Sequence, residues 1–291
     1  MQQLIVIVRA LRVYQWTKNL LLLAALIFSK EFFEIDQVLT SLLAFLAFSL
    51  TSSATYLLND LVDVEKDRKH PTKRHRPIAS GALSRAAALG LMVGLLCLSM
   101  ALAYYIQPRF LGALLFYLAL TVSYSFVLKD ILILDVLTVA LGFVVRAIAG
   151  AIAIDVLFSN WLVVCTLFLA LFLGLSKRRH ELTILDEDAR NHRAVLHQYS
   201  VHFLDQLILI TAGGALITYT IYTCSEDVIA RIGTPYLYLT LPFVFYGLAR
   251  YLYLIHHKTG GGDPSSTLLK DLPLGLTVVS WALACVVILY V

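Results

Sequence analysis

Long apolar runs dominate this chain and leave few folds open to it. Read against the ~20 residues that a helix needs to cross a bilayer, they give nine candidate spans, at 18–33, 37–58, 84–106, 110–128, 131–154, 161–176, 207–224, 235–255 and 272–291. The first is short and the fourth is shaded by polar residues. With 59% hydrophobic and 14% charged residues and a mean hydropathy of +0.81, the 291 residues are too apolar for an ordinary soluble domain. The expected fold is an all-α integral membrane protein. No long repeat, low-complexity tract or soluble insertion interrupts the spans, so 1–291 reads as a single transmembrane domain.

The net charge of +4 sits in short loops between the spans, without an aromatic-basic nucleic-acid motif, so no nucleic-acid partner is expected. Membrane orientation and anionic substrates account for it better. Arg9 and Arg12 precede the first span and Lys18 stands at its start, and the loops after spans two, four, six and eight hold most of the remaining Lys and Arg. The opposite side holds only Lys30, Arg109 and Arg231. By the positive-inside rule the N-terminus and the charged loops are cytoplasmic. Cys97, Cys165, Cys224 and Cys285 are dispersed in apolar segments without a CxxC pair, which points to neither zinc nor a disulfide framework. The N-terminus lacks the small-residue cleavage site of a removed signal peptide.

The stretch 59–81, NDLVDVEKDRKHPTKRHRPIASG, sets acids and then bases between two apolar runs. Asn59, Asp63 and Asp67 are four apart and share one face if the preceding helix continues through them, with Asp60 beside them. Such a ladder can hold magnesium through one or two carboxylates while substrate phosphates supply other oxygens. Arg68, Lys69, His70, Lys73, Arg74, His75 and Arg76 follow as donors for anionic oxygens. A solvated loop that only orients the chain is the competing reading of such a charge run.

A second polar group lies in SYSFVLKDILILDV and GFVVRAIAG. Tyr124 and Ser125 precede Lys129 and Asp130, and Asp135 and Arg146 follow inside an apolar run. Eleven residues apart, the last two share a helix face at a separation of about 16 Å, too far to touch. A charge within a span marks a functional site by default, a structural ion pair being the alternative. The sixth span ends in LSKRRHE, with Lys177 and Glu181 spaced to pair on a helix. ILDEDARNHR reads as a solvated helix or loop. GGGDPSS lacks the strand and the full pattern of a P-loop and reads as a turn, with Asp263 capping a short helix.

Across almost its whole length the chain resembles the UbiA prenyltransferase superfamily, whose members are nine-helix membrane enzymes with two polar motifs on the cytoplasmic side. NDLVDVEKD fits that family's NDxxDxxxD. Within the superfamily it is similar to the decaprenyl-phosphate phosphoribosyltransferase branch, through VYQWTKN, DRKHPTKRHRPIASG, SYSFVLKDILILDV, GFVVRAIAG, LSKRRHE and GGGDPSSTLLKD. The resemblance implies a nine-helix bundle with a cytoplasm-facing polar cavity in a bacterial inner membrane. It also implies Mg2+ as cofactor, with phosphoribosyl pyrophosphate and a polyprenyl phosphate as substrates. Its product would feed arabinofuranose donors for cell-wall glycans, and a homo-oligomer is compatible with it.

By resemblance, Asn59, Asp60, Asp63 and Asp67 hold magnesium and pyrophosphate, the three aspartates forming the catalytic set. Arg68, Lys73 and Arg76 meet the phosphates of the soluble donor; Lys129, Arg146, Lys177 and Arg178 make further phosphate contacts; Lys18 meets the lipid phosphate. Tyr124, Asp130, Asp135 and Glu181 are binding candidates whose competing reading is that they only orient the bases. An aromatic prenyltransferase is the enzymatic alternative. Its family form carries DxxYAxxDxxDD between spans six and seven, whereas Asp186, Glu187 and Asp188 lack that spacing here. A transporter would also bury charge near the midplane, but it would commonly show paired halves with matching broken helices.

Overall fold

The computed structural model of the protein describes residues 2–69, 71, 73–185, 194–257, 267–268 and 270–290. Among them every regular element is helical, and eight helices are long and apolar enough to cross a membrane. The chain forms two compact units.

The first unit comprises Met1–Leu26, Glu31–Phe126 and Val145–Leu157. Helix α1 (Gln2–Leu11) ends at Arg12, in the left-handed region at φ 49, and leads into a 3₁₀ stretch, Val13–Leu23, and the short α2 (Ala24–Phe28). The first apolar segment is therefore Val13–Phe28, starting five residues before the expected 18–33. The 3₁₀ geometry rises ~2.0 Å per residue against 1.5 Å in an α-helix. Eleven such residues followed by five α-helical ones extend roughly 30 Å, a hydrocarbon thickness, despite the low residue count.

Helices α3 (Ile35–Val62), α4 (Val64–Lys69), α5 (Arg85–Ile106) and α6 (Pro108–Phe126) follow, and the unit closes with the last part of α7 (Leu134–Ala153). Ser84 caps α5 by accepting from the Ala87 amide at 3.2 Å. Pro108 opens α6 directly after the extended Gln107. Helices α3 and α5 meet through small residues, since Ala44, Ala47, Ser99 and Ala103 are wholly enclosed. The Ser99 hydroxyl donates to the Ala47 carbonyl at 2.8 Å and pairs with Thr51 at 2.6 Å. In lipid, where apolar surface gives no net drive between helices, close packing and such hydrogen bonds hold them together.

Gly150 marks a close backbone approach in this unit, because a Cβ there would lie 2.1 Å from the Leu22 backbone carbonyl oxygen. Gly150→Ala therefore requires α7 to move off the 3₁₀ stretch, at a cost of roughly 1–3 kcal/mol. A melting curve in detergent is expected to show the loss, and a wild-type midpoint would contradict the close approach.

The second unit comprises Ile27–Lys30, Val127–Val144 and Phe158–Val291. Here α8 (Asn160–Leu185) packs along α9 (Val201–Cys224), with Phe172, Leu175, Leu204 and Ile208 buried between them and Val136 of α7. Helices α10 (Glu226–Ile232), α11 (Leu241–His257) and α12 (Leu272–Tyr290) complete it. The Trp281 indole donates to the Tyr219 hydroxyl at 3.0 Å, which pairs with Thr240 at 2.7 Å, so α9 and α12 are joined by a buried polar contact. Helix α8 runs nine residues past the apolar end expected at 176. Its Lys, Arg and Glu residues are good helix formers, so the turn continues where hydropathy stops.

Candidate active site

In the first unit, α3 carries Asn59 and Asp60 and ends at Val62, and Asp63 sits at a break before α4. The Asp63 amide still donates to the Asn59 carbonyl at 2.9 Å and the Asp67 amide to the Asp63 carbonyl at 2.8 Å. The i→i+4 amide bonding thus continues across the break, with Asn59 and Asp63 half-buried. Asp60 and Asp67, two turns apart, both sit at 3% exposure. Arg76 Nη1 donates to Asp60 Oδ1 at 3.1 Å and to Asp67 Oδ2 at 2.7 Å, and Arg12 Nη2 donates to the same Asp60 oxygen at 2.5 Å. The Arg12 guanidinium also covers the Tyr56 ring, 4.8 Å from its centroid.

Two buried carboxylates therefore converge on one cationic nitrogen. Among the described residues no group of three or more His, Cys, Asp and Glu side chains forms a closed metal cage. An open pair fits magnesium, which keeps waters and takes one or two carboxylates together with substrate phosphate oxygens. Asp60 and Asp67 would hold such an ion, with the Arg76 guanidinium beside them as a donor for anionic oxygens.

Arg76 reaches the acids because the loop behind it is anchored. Ile78 is buried with Ala10, Leu57, Val64 and Ala88, and the Ser80 amide donates to the Arg76 carbonyl at 2.9 Å. Arg68 is exposed, with Nε on the Ala79 carbonyl at 3.3 Å and Nη1 on Glu65 at 3.1 Å. Lys73 is half-buried at the start of a 3₁₀ turn, Lys73–His75. His70 lies outside the described residues.

The VYQWTKN segment docks on a hydroxyl-rich face of α3. Trp16 Nε1 donates to Ser53 Oγ at 3.0 Å, and Asn19 Nδ2 donates to Ser49 Oγ at 3.1 Å. Arg146 is 6% exposed; its Nε donates to Asn19 Oδ1 at 2.7 Å, its Nη2 to the Tyr117 hydroxyl at 2.7 Å, and its guanidinium lies over the Tyr117 ring at 4.7 Å. Lys18 is half-buried beside Asn19, and Tyr124 is half-buried on α6. Arg12, Asn19 and Tyr117 escaped the sequence reading of the site. The density of Ser and Thr at 49–55, five of the seven residues in SLTSSAT, was the signal that α3 receives polar partners there.

The second unit holds the other constellation. Lys129 is half-buried and Asp130 exposed on a 3₁₀ turn, Leu128–Asp130. Asp135 has no exposed surface: its Oδ2 accepts from Arg178 Nε at 2.7 Å and its Oδ1 from the Tyr199 hydroxyl at 2.7 Å. The carboxylate is an ion-pair partner of Arg178, the structural alternative weighed for it. Arg178 Nη1 donates to Glu181 Oε2 at 2.7 Å. Lys177 is half-buried next to it. Burial and the adjoining Asp135 carboxylate push the Tyr199 hydroxyl above its ordinary value of 10.0, so it stays protonated and donating at neutral pH. Asp135 and Arg146 ride one helix, as the spacing required, and each is satisfied inside its own unit.

Arg179 ties three helices instead of facing solvent, with Asp205 Oδ1 at 2.5 Å and the Ile255 carbonyl at 2.9 Å. Asp186, Glu187, Asp188, His192 and the GGGDP turn with Asp263 lie outside the described residues.

Residues 20–270 match the UbiA prenyltransferase family. The chain is 32% identical over 288 residues to the decaprenyl-phosphate phosphoribosyltransferase of Mycolicibacterium smegmatis, covering 94% of this chain and 89% of the relative. It is 31% identical over 290 residues to the enzyme of the same name from Corynebacterium glutamicum, covering 98% and 86%. In three dimensions it superposes on a UbiA homologue from Archaeoglobus fulgidus bound to GPP and Mg2+ with a TM-score of 0.72, 18% identity, and coverage of 98% and 100%. The fold, the multi-pass membrane character and the sequence agree: this chain belongs to the UbiA prenyltransferase family.

Proposed function

We propose that the protein transfers 5-phosphoribose from phosphoribosyl pyrophosphate to a polyprenyl phosphate, with release of pyrophosphate. The observation that carries this reading is the convergence of Asp60 and Asp67, both buried, on the single Arg76 nitrogen. Such a pair suits a metal-bound pyrophosphate, and the basic residues around it suit a substrate set carrying several phosphates. Relatives named decaprenyl-phosphate phosphoribosyltransferase at 31–32% identity over nearly the whole chain support the same choice.

The polyprenyl phosphate oxygen attacks the anomeric carbon of ribose from the face opposite the pyrophosphate. A carbon–oxygen bond forms as the carbon–oxygen bond to pyrophosphate breaks, with inversion. The attacking phosphate is already ionised near neutral pH, so no strong general base is required, and positioning with charge stabilisation supplies most of the rate. Asn59, Asp60, Asp63 and Asp67 would hold Mg2+, which neutralises the departing pyrophosphate when bound. Arg76, with Arg68 and Lys73, would meet the phosphates of the soluble donor. The family resemblance assigns further phosphate contacts to Arg146, Lys129, Lys177 and Arg178 and the lipid phosphate to Lys18, while Asp135 and Glu181 each pair with Arg178. Tyr124 and Asp130 are assigned to substrate contact. The N-terminus and the acid cluster face the cytoplasm of a bacterial inner membrane, where the soluble donor is made, and the product supplies cell-wall arabinofuranose donors.

Magnesium dependence tests the metal half of this reading. In detergent, label from phosphoribosyl pyrophosphate is expected to enter the organic phase with Mg2+, to stop with excess chelator and to resume when Mg2+ is restored. Undiminished transfer in chelator would remove the role given to the acids.

A further inference from the structure

We propose that Tyr199 is a positioning residue for this reaction: its hydroxyl clamps the Lys129–Ile133 loop and the Asp135–Arg178 pair into one rigid unit. The proposal rests on the phosphoribosyl-transfer reading and extends it to a residue outside the binding sets named above.

The Leu134 amide donates to the Leu132 carbonyl at 2.8 Å across Ile133, whose φ is 68. An i→i+2 bond around a central residue at positive φ is a γ-turn of the rare, strained kind, and a β-branched residue there is an outlier. Ile133 is also 45% exposed, so packing alone does not hold it. The Ile133 carbonyl accepts the Val136 and Leu137 amides at 3.1 and 2.9 Å as α7 begins, and a side chain holds the other half of the peptide unit: the Ile133 amide donates to the Tyr199 hydroxyl oxygen at 2.9 Å while the same hydroxyl donates to Asp135 Oδ1 at 2.7 Å. Tyr199 is 5% exposed and its ring stacks on Phe203 at a centroid distance of 6.3 Å.

One hydroxyl thus uses its donor and an acceptor lone pair at once. On one side it fixes the turn that follows Lys129 and Asp130; on the other it fixes the carboxylate that aims Arg178. Strained backbone persists where its surroundings over-determine it, and such positions cluster at functional sites. Tyr199 acts through its two hydrogen-bond partners, Ile133 and Asp135. It sets the distance between two cationic groups, Lys129 and Arg178, that lie on separate elements.

Tyr199→Phe keeps the ring and removes the clamp. Its kcat/KM for transfer is expected to fall about tenfold, the size of one hydrogen bond expressed in the transition state. Adding Ile133→Gly should return it to within about threefold of wild type, because glycine holds the positive φ without help. A role confined to general stability would not be rescued by a glycine in an exposed turn. Wild-type kinetics for Tyr199→Phe, or no rescue by the second change, overturns the proposal. Hydrogen exchange of the 128–134 segment in the wild-type protein gives a readout free of activity and of variant folding. The Ile133 amide should be protected, and exchange at the rate of an open loop would overturn the clamp. If the wild type transfers no phosphoribose yet that amide is protected, the reading of function fails and the clamp stands.

Discussion

Asp67→Asn is expected to leave the protein folded and to lower phosphoribosyl transfer by about a thousandfold, or roughly 4 kcal/mol of transition-state stabilisation. Asparagine has the shape of aspartate and keeps a carbonyl oxygen for Arg76 Nη1, which approaches Asp67 Oδ2 at 2.7 Å. What is lost is charge, and charge is what draws a divalent cation and its pyrophosphate. Arg76 also keeps Asp60 and is partly solvated, with 25% of its side chain exposed, so the stability cost should stay near 1 kcal/mol. Asp63→Ala, at the break between α3 and α4, should abolish transfer with a near-wild-type melting midpoint. Full activity in either variant would make the acid ladder a structural feature of the helix junction.

Asp135→Ala should act on the fold. The carboxylate is fully enclosed and receives both Arg178 Nε and the Tyr199 hydroxyl, so its removal leaves a buried guanidinium short of one partner. Breaking such a pair from one side costs about 3–5 kcal/mol, most of it the desolvation of the charge left behind. Replacing Arg178 with methionine in the same chain removes that charge and should restore most of the melting midpoint. Transfer should remain low in the double variant, because the phosphate contact assigned to Arg178 is gone. A single variant that melts like wild type would show the pair to be hydrated, and a double variant with full activity would remove Arg178 from the site.

Much of this was legible in the sequence, for reasons that differ by residue. The spans could be read because lipid demands apolar runs of fixed length. The acid-and-base cluster at 59–76 could be read from its composition between two apolar runs, and backbone bonding at four-residue spacing runs through the break at Asp63; that Asp60 and Asp67 share Arg76 could not. The 3₁₀ stretch Val13–Leu23 could not, since residue counting assumes an α-helical rise. Nor could the extension of α8 to Leu185, where hydropathy ends and helix propensity continues. Arg12 was visible only as a charge for orientation; its place on Asp60, 48 positions away, depends on tertiary packing. Asn19 and Tyr117 were hidden for the same reason: they read as ordinary polar and aromatic residues until Arg146 is set between them. Tyr199 carried no local pattern, because its meaning comes from a turn 66 positions earlier.

The identity of the electrophile is the claim on which the rest depends, and one competition assay addresses it. Purified protein in detergent with Mg2+ is given phosphoribosyl pyrophosphate labelled in the ribose together with a polyprenyl phosphate, and in parallel a prenyl pyrophosphate with an aromatic acid. Ribose label in the organic phase as a lipid-linked pentose phosphate, with inverted anomeric configuration and no turnover of the second pair, is the expected result. Turnover of the prenyl pyrophosphate with the aromatic acid, and no lipid-linked pentose phosphate, would contradict it.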